Sequence, residues 1–145
     1  MVSAPDRFLT LASFRHALRR FLAASEAISR SAGITQQQYQ AILAIAAWPG
    51  EVMTMKDLAD DLLLTHHAAV QLVDRLAKAG LAQRTTSSVD RRSVELTLTA
   101  AGAVLLERLA TLHQAEMLRR EPALSASLRH LRKLRPAKEP GAEKA

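Results

Sequence analysis

Residues 65–98 read THHAAVQLVDRLAKAGLAQRTTSSVDRRSVELTL, and the order of features within them decides the fold. Thr65 has the chemistry of a helix N-cap, and Ala69, Leu72, Val73 and Leu76 recur behind it at helical spacing, which makes one buried stripe. Gly80 is placed to stop that helix at its C′ position, with Leu81 folding back as the accompanying apolar contact. Val94, Leu96 and Leu98 then alternate with Glu95 and Thr97, the period of a strand with one wet face. Between the two lies the polar run Ser87, Ser88, Val89, Asp90, Arg91 and Arg92, a hairpin tip with two adjacent guanidinium groups.

A helix followed by a basic hairpin is the pattern of a winged helix-turn-helix, in which the helix enters the DNA major groove and the hairpin reaches backbone or minor groove beside it. Upstream residues fit that pattern. Thr35 and Gln38 form a T-x-x-Q capping box for a helix running to about Ala47, stopped by Pro49 and Gly50 and packed through Tyr39, Ile42, Leu43, Ile45 and Ala46. Val52 and Met53 are placed for a minor third strand. Thr54 and Asp57 start a short helix, and residues 62–64 make the turn into the helix at Thr65.

The flanks are helical too. Over residues 6–31, Phe8, Leu11, Phe14, Leu18, Phe21, Leu22 and Ile28 share a broad stripe, with Arg15, Arg19, Arg20 and Glu26 mostly off it. Such a stripe needs burial, either on its own domain or against a helix of a second subunit. From Thr99 another helix carries Val104, Leu105, Leu109 and Leu112. It is expected to run to Glu121, because Pro122 suits the first position of a following helix that holds Leu124, Leu128, Leu131 and Leu134. Residues 135–145 contain two prolines, a glycine and no large apolar side chain, and are expected to form a disordered basic tail. The fold class is therefore mainly α with a small β-wing. One domain is expected over residues 6–134, with its winged core at about 35–98 and flanking helices at about 6–31 and 99–134.

Composition narrows the function classes. A chain of 145 residues with 48% hydrophobic content can build a core without disulfides or metal, and 3% aromatics makes that core aliphatic. The absence of cysteine excludes thiol catalysis, a cysteine zinc site and a cysteine redox switch within this chain. No apolar run has the length of a membrane span, and the N-terminal charges interrupt the apolar pattern, so a cytoplasmic location and no membrane partner are expected. The formal charge of +6 suits a polyanionic partner. Its distribution weakens that point: between residues 31 and 64 Lys56 stands against Glu51, Asp57, Asp60 and Asp61, so the placement of Arg91 and Arg92 says more than the total. No glycine-rich phosphate loop, activated nucleophile or paired carboxylates in an apolar setting point to an enzyme.

The segments LADDL, VDRLAKAGLAQR and VDRRSVELTLTAAG carry a resemblance to the MarR family of bacterial transcription regulators over roughly residues 8–132. The most specific piece is D-R-R followed by an apolar strand and L-T-x-x-G. The opening T-H-H-x-x-V of the central helix resembles a variant within the family, whose members often have serine or threonine where His67, Ala68 and Val70 stand. The resemblance implies a homodimer whose first and last helices form a shared dimerisation platform, with recognition helices about 34 Å apart on a palindromic site. It also implies a ligand cleft between the platform and the winged module; there an arginine beside aromatics suits a carboxylate-bearing aromatic compound, so that a repressor released by a small phenolic or aromatic acid is the leading expectation, with Tyr39 and Trp48 as plain core or rim residues the competing one.

Candidate residues follow. On the recognition helix, Thr65, His66, His67, Val70, Gln71 and Arg75 are the expected DNA-facing set: Gln71 for adenine, Val70 for a thymine methyl, the histidines for bases or phosphates. An ordinary solvated face is the competing reading. Adjacent histidines diverge by about 100° on a helix and lack a completing ligand set, so neither metal nor cofactor is expected. On the wing, Arg84, Asp90, Arg91 and Arg92 are candidates. Arg92 resembles the family's minor-groove arginine, with Asp90 orienting it through a charge-assisted bond, and Arg91 suits a phosphate; the alternative is that Asp90 and Arg92 only clip the hairpin. Thr54 and Lys56 are phosphate-contact candidates, as is Arg84. Asp60, Asp61 and Asp74 are expected to pair with basic neighbours or point away from DNA. Arg15, His16, Arg19, Tyr39, Trp48 and His113 are the ligand-cleft candidates. The alternative function is a winged-helix protein-interaction module without DNA binding.

Overall fold

The computed structural model describes residues 4–134. The expected basic tail, 135–145, lies outside the described residues. Five helices and three strands run in the order α1 (Ala4–Ser31), α2 (Gln36–Ala47), β1 (Met53–Thr54), α3 (Met55–Asp61), α4 (His66–Lys78), β2 (Ala82–Thr86), β3 (Val94–Leu98) and α5 (Ala100–Lys133). They divide into two compact units, one spanning Ser25–Gln114 and the other built from the chain up to Ala24 together with the chain from Ala115.

The first unit is the winged core. Its antiparallel sheet has the order β1-β3-β2, with Met53 opposite Leu96 on one side and Arg84 opposite Leu96 on the other. The alternation read in β3 places Leu96 in the core, where it is 1% exposed. Ile42, Leu58, Val73 and Leu76 bury with it, so α2, α3 and α4 close over one face of the sheet. Local chemistry sets the helix starts. The Gln38 N–H donates to Thr35 Oγ1 at 3.1 Å and the Thr35 N–H to Gln38 Oε1 at 2.8 Å, and Thr54 with Asp57 repeats the same reciprocal pair.

The stops of α1, α3 and α4 share one geometry. After α4, Gly80 takes φ +73°, its N–H donating to Ala77 O and the Leu81 N–H to Leu76 O, which satisfies two carbonyls of the last turn. Gly33 ends α1 in the same way at φ +80°. After α3 the equivalent position is Leu63, at φ +55°, with the Leu64 N–H donating to Ala59 O. A leucine there is strained, and Leu62 and Leu64 on either side pack against the core and hold it in place.

Two long-range contacts have no local signature. Ser29 Oγ donates to Gln36 Oε1 and Gln36 Nε2 donates to Ser25 Oγ, so a polar cluster joins the end of α1 to α2. Tyr39 of α2 stacks on His113 of α5, ring centroids 3.8 Å apart and ring planes nearly parallel.

The second unit consists of helix alone. The break expected at Pro122 does not occur: α5 runs unbroken through it to Lys133. Proline lacks the N–H that would have met the Leu118 carbonyl and its ring crowds that oxygen, but Leu118 is on the solvent side, where the carbonyl can tilt outward and water can serve it. Good helix formers on both sides carry the helix through a defect worth about 3 kcal/mol. Among the described residues no helix is long and apolar enough to cross a membrane.

Candidate nucleic-acid interface

The α4 stripe reads in space as it does along the chain. Ala69, Leu72, Val73 and Leu76 are buried, which turns His66, His67, Gln71, Arg75 and Lys78 to solvent. None of those five side chains is engaged by another protein group among the described residues. Val70 is different: it is half-buried and packs against the core cluster, so only part of it is available to a partner. Thr65 serves as the N-cap, its Oγ1 accepting from the Ala68 N–H at 3.1 Å. Its hydroxyl proton remains free to donate. Thr54 Oγ1 is likewise occupied, by the Asp57 N–H, while Lys56 is exposed.

The wing tip is a locked turn. The Val89 and Asp90 N–H groups both donate to Ser87 Oγ, at 3.2 and 3.3 Å, and the Ser87 N–H donates to Ser93 O at 2.9 Å. Asp90 Oδ1 accepts the Arg92 backbone N–H at 3.0 Å, and Asp90 O accepts the Ser93 N–H. This corrects one expectation: the Asp90 carboxylate holds the Arg92 backbone, and among the described residues no ion pair joins it to the Arg92 guanidinium. An aspartate two residues before an N–H closes a local turn more readily than it reaches the end of a long flexible side chain. Arg91 and Arg92 therefore stand exposed on a rigid base, and among the described residues neither guanidinium is paired. Ser87, buried beneath them, was not singled out in the sequence, and the S-x-x-D spacing was the available signal.

Arg84 is not free. Its Nη1 lies 2.5 Å from Asp74 Oδ1, bridging β2 and α4. Both side chains are more than one-third exposed, so the pair adds little stability, but it sets where Arg84 points and neutralises an acid on the candidate face. Asp74 thus has the basic neighbour expected of it.

Thr99 explains the L-T-x-x-G signature that follows β3. Its Oγ1 donates to Gly80 O at 2.6 Å and accepts the Gly102 N–H at 3.0 Å, while its own N–H donates to Leu81 O at 3.1 Å. One side chain ties the stop of α4 to the start of α5. Gly102 is required by contact, since a Cβ there would stand 2.0 Å from the Leu81 carbonyl oxygen.

Residues 32–93 match the model of the MarR family. An organic hydroperoxide resistance transcriptional regulator of Bacillus subtilis is 32% identical over 101 residues, which take in 70% of this chain and 65% of that protein, just under two-thirds of its length. The winged core is that of the MarR family. Among solved structures, a MarR transcription factor from Planctomyces limnophilus is 28% identical with a TM-score of 0.66, over 90% of this chain and 92% of that one. A mutant of S. aureus MepR bound to an oligodeoxyribonucleotide is 19% identical with a TM-score of 0.63, over 80% and 90%.

The ligand-cleft candidates fall in both units. Tyr39 and His113 stack in the winged core, where burial raises the Tyr39 pKa. His113 Nδ1 is 2.8 Å from Leu109 O, and its Nε2 is buried with no hydrogen-bond partner among the described residues. Trp48 lines a separate groove of about 280 Å³ with Met53, Leu96 and Leu98. In the helical unit, His16 lines a cavity, and Arg15 and Arg19 are exposed.

Proposed function

We propose that this chain is a sequence-specific DNA-binding transcription regulator acting as a homodimer, a repressor on a palindromic operator that a small aromatic or phenolic acid releases, in the cytoplasm. The observation that carries the DNA reading is the pairing, in one compact unit, of an unengaged polar face on α4 with two unpaired arginines on a hydrogen-bonded wing tip. His66, His67, Gln71 and Arg75 are assigned to the major groove, with the exposed part of Val70 at its edge. Arg92 is assigned to the minor groove and Arg91, Lys56 and Thr54 to phosphates. Arg84 acts through Asp74, setting the approach of the face rather than contacting DNA first. The MepR mutant solved with an oligodeoxyribonucleotide supports the reading at the level of fold.

Dimerisation is supported by the helical unit, which leaves Phe8, Leu9 and Leu118 at 59%, 68% and 67% exposed. Apolar exposure on that scale along helices calls for a partner, and a second copy is the one the family offers. The Bacillus relative is named for organic hydroperoxide resistance. This chain has no cysteine, hence no thiol for a peroxide to oxidise, and that stimulus is not carried over.

The test is selection of bound sequences from a random duplex pool, followed by titration of the recovered site at several salt concentrations. A two-fold symmetric consensus is expected, with binding that weakens steeply in salt. Arg92→Ala should cost about 1–3 kcal/mol and lower the salt slope by about one. If no sequence is enriched and binding is weak for every duplex, the chain is instead a winged-helix interaction module.

A further inference from the structure

The wing tip turns two corners. At the first, Ser87 Oγ accepts the Val89 and Asp90 N–H groups; at the second, Asp90 O accepts the Ser93 N–H and Asp90 Oδ1 accepts the Arg92 N–H. The first corner carries Val89 and the second carries Arg91 and Arg92, with Asp90 between them. Val89 is 96% exposed, and among the described residues no large apolar side chain is more so.

A single exposed valine is usually of no consequence. This one stands where turn chemistry favours Gly, Asn, Asp or Ser, and a β-branched side chain supplies neither their backbone freedom nor their hydrogen bonds. Ser87 and Asp90 make both corners, so the valine is not what folds the tip. It also lies three positions before Arg92, on the element assigned to the minor groove. The bonded backbone holds the two corners together, so a wing that carries Arg92 into that groove carries Val89 with it. Valine has a single stiff side-chain torsion, which costs little entropy to fix and gives it no way to swing aside.

The groove floor decides what such a side chain does. A·T and T·A pairs present only acceptors there, adenine N3 and thymine O2, whereas G·C adds the guanine N2 amino donor. Arginine can meet the acceptors, and valine has neither donor nor acceptor of its own. Over an A·T pair the valine methyls rest on sugar and base edges and leave the acceptors to the guanidinium. Over a G·C pair they meet the amino group, which is then crowded, stripped of water and given no acceptor.

We propose that Val89 is a specificity-determining residue, a steric filter at the minor-groove floor that admits A·T pairs and rejects the guanine amino group, while Arg92 supplies the attraction. The proposal rests on the DNA-binding reading given above and adds to it the base class that the wing reads.

The test uses the full chain and the duplex recovered by selection, with binding read by fluorescence anisotropy. Each adenine in turn is replaced by 2,6-diaminopurine, which adds the minor-groove amino group of guanine and leaves the major-groove edge unchanged. At one or two positions of each half-site the wild-type affinity should fall about fivefold or more. At those positions a G·C pair should also bind worse than inosine·C, which lacks only the amino group. Val89→Ser, whose hydroxyl can accept from that group, should bind modified and unmodified duplexes within about twofold of each other, and Val89→Ile should keep the wild-type discrimination. Circular dichroism checks that each variant folds. A recovered site whose diaminopurine scan is flat overturns the proposal and leaves the DNA reading standing. Discrimination that survives Val89→Ser overturns it too, and its loss in Arg92→Ala would then give the reading to the arginine alone. Recovery of no site at all overturns both readings together.

Discussion

Gly102→Ala adds one methyl group at the point where α5 meets the end of α4. The new Cβ would stand 2.0 Å from the Leu81 carbonyl oxygen and 2.9 Å from its carbon. Carbon-to-oxygen contacts close at about 3.3 Å, so backbone must move by more than about 1 Å. The obstacle is main chain rather than the end of a flexible side chain, and it cannot rotate away. Overpacking of this kind costs about 1–3 kcal/mol. Moving the Leu81 carbonyl also weakens the bond it accepts from the Thr99 N–H at 3.1 Å, worth about 1 kcal/mol. Against these stands the helix preference of alanine over glycine, at most about 1 kcal/mol. The net expectation is a loss of about 1–4 kcal/mol, read as a lower urea midpoint at unchanged slope. Gly33→Ala is the control, because its Cβ meets nothing within 4 Å and only its φ of +80° resists, at about 1–2 kcal/mol. Thr99→Val, which removes the hydroxyl that bridges Gly80 O and the Gly102 N–H, should cost about 1–3 kcal/mol at the same junction. A Gly102→Ala protein as stable as wild type would show that α5 does not approach Leu81 as described.

Three further outcomes are expected. Asp74→Asn should change stability by less than about 1 kcal/mol, since the pair with Arg84 is largely exposed, yet tighten DNA binding and steepen its salt dependence, because Arg84 is released toward phosphate; weaker binding in fluorescence anisotropy would count against the assigned face. Leu63→Asn should raise the thermal midpoint, by up to about 1 kcal/mol of stability, because asparagine tolerates the left-handed conformation and Leu63 is 92% exposed with no packing to lose; a clear loss would mean that Leu63 is held by something other than its neighbours. Glu116 has a folded pKa below its unfolded one, so its contribution is present above the ordinary glutamate range and lost as pH falls through the lowered value. Glu116→Gln should therefore be less stable near neutrality and lose less on acidification than wild type, and parallel acid-unfolding curves would contradict the pairing.

Much of the winged core was legible because its determinants act over a few residues. The capping boxes at Thr35 and Thr54, the N-cap at Thr65 and the glycine stop at Gly80 are bonds between groups no more than about five positions apart, and side-chain type is enough to anticipate them. The misreadings arose where a neighbour won unexpectedly or a distant group intervened. Pro122 was read as a boundary, but one missing N–H beside solvent was a smaller defect than the flanking helix could carry. Asp90 was read as steering the Arg92 guanidinium, but its carboxylate took the nearer backbone N–H. Leu63 gave no warning at all, since leucine is an unfavourable choice for a left-handed stop.

The candidate site divides along the same line. Periodicity alone set which side of α4 faces solvent, because four apolar residues at helical spacing can bury together in only one orientation. The hairpin composition alone put two guanidinium groups at a tip. Tertiary structure decided the rest: that Arg84 is spent on Asp74, that Tyr39 and His113 stack on each other, and that Gly102 must be glycine because Leu81, 21 positions earlier, lies against it. These depend on distances between segments that no local rule specifies. They are fixed only when the aliphatic core closes and brings separate elements to contact.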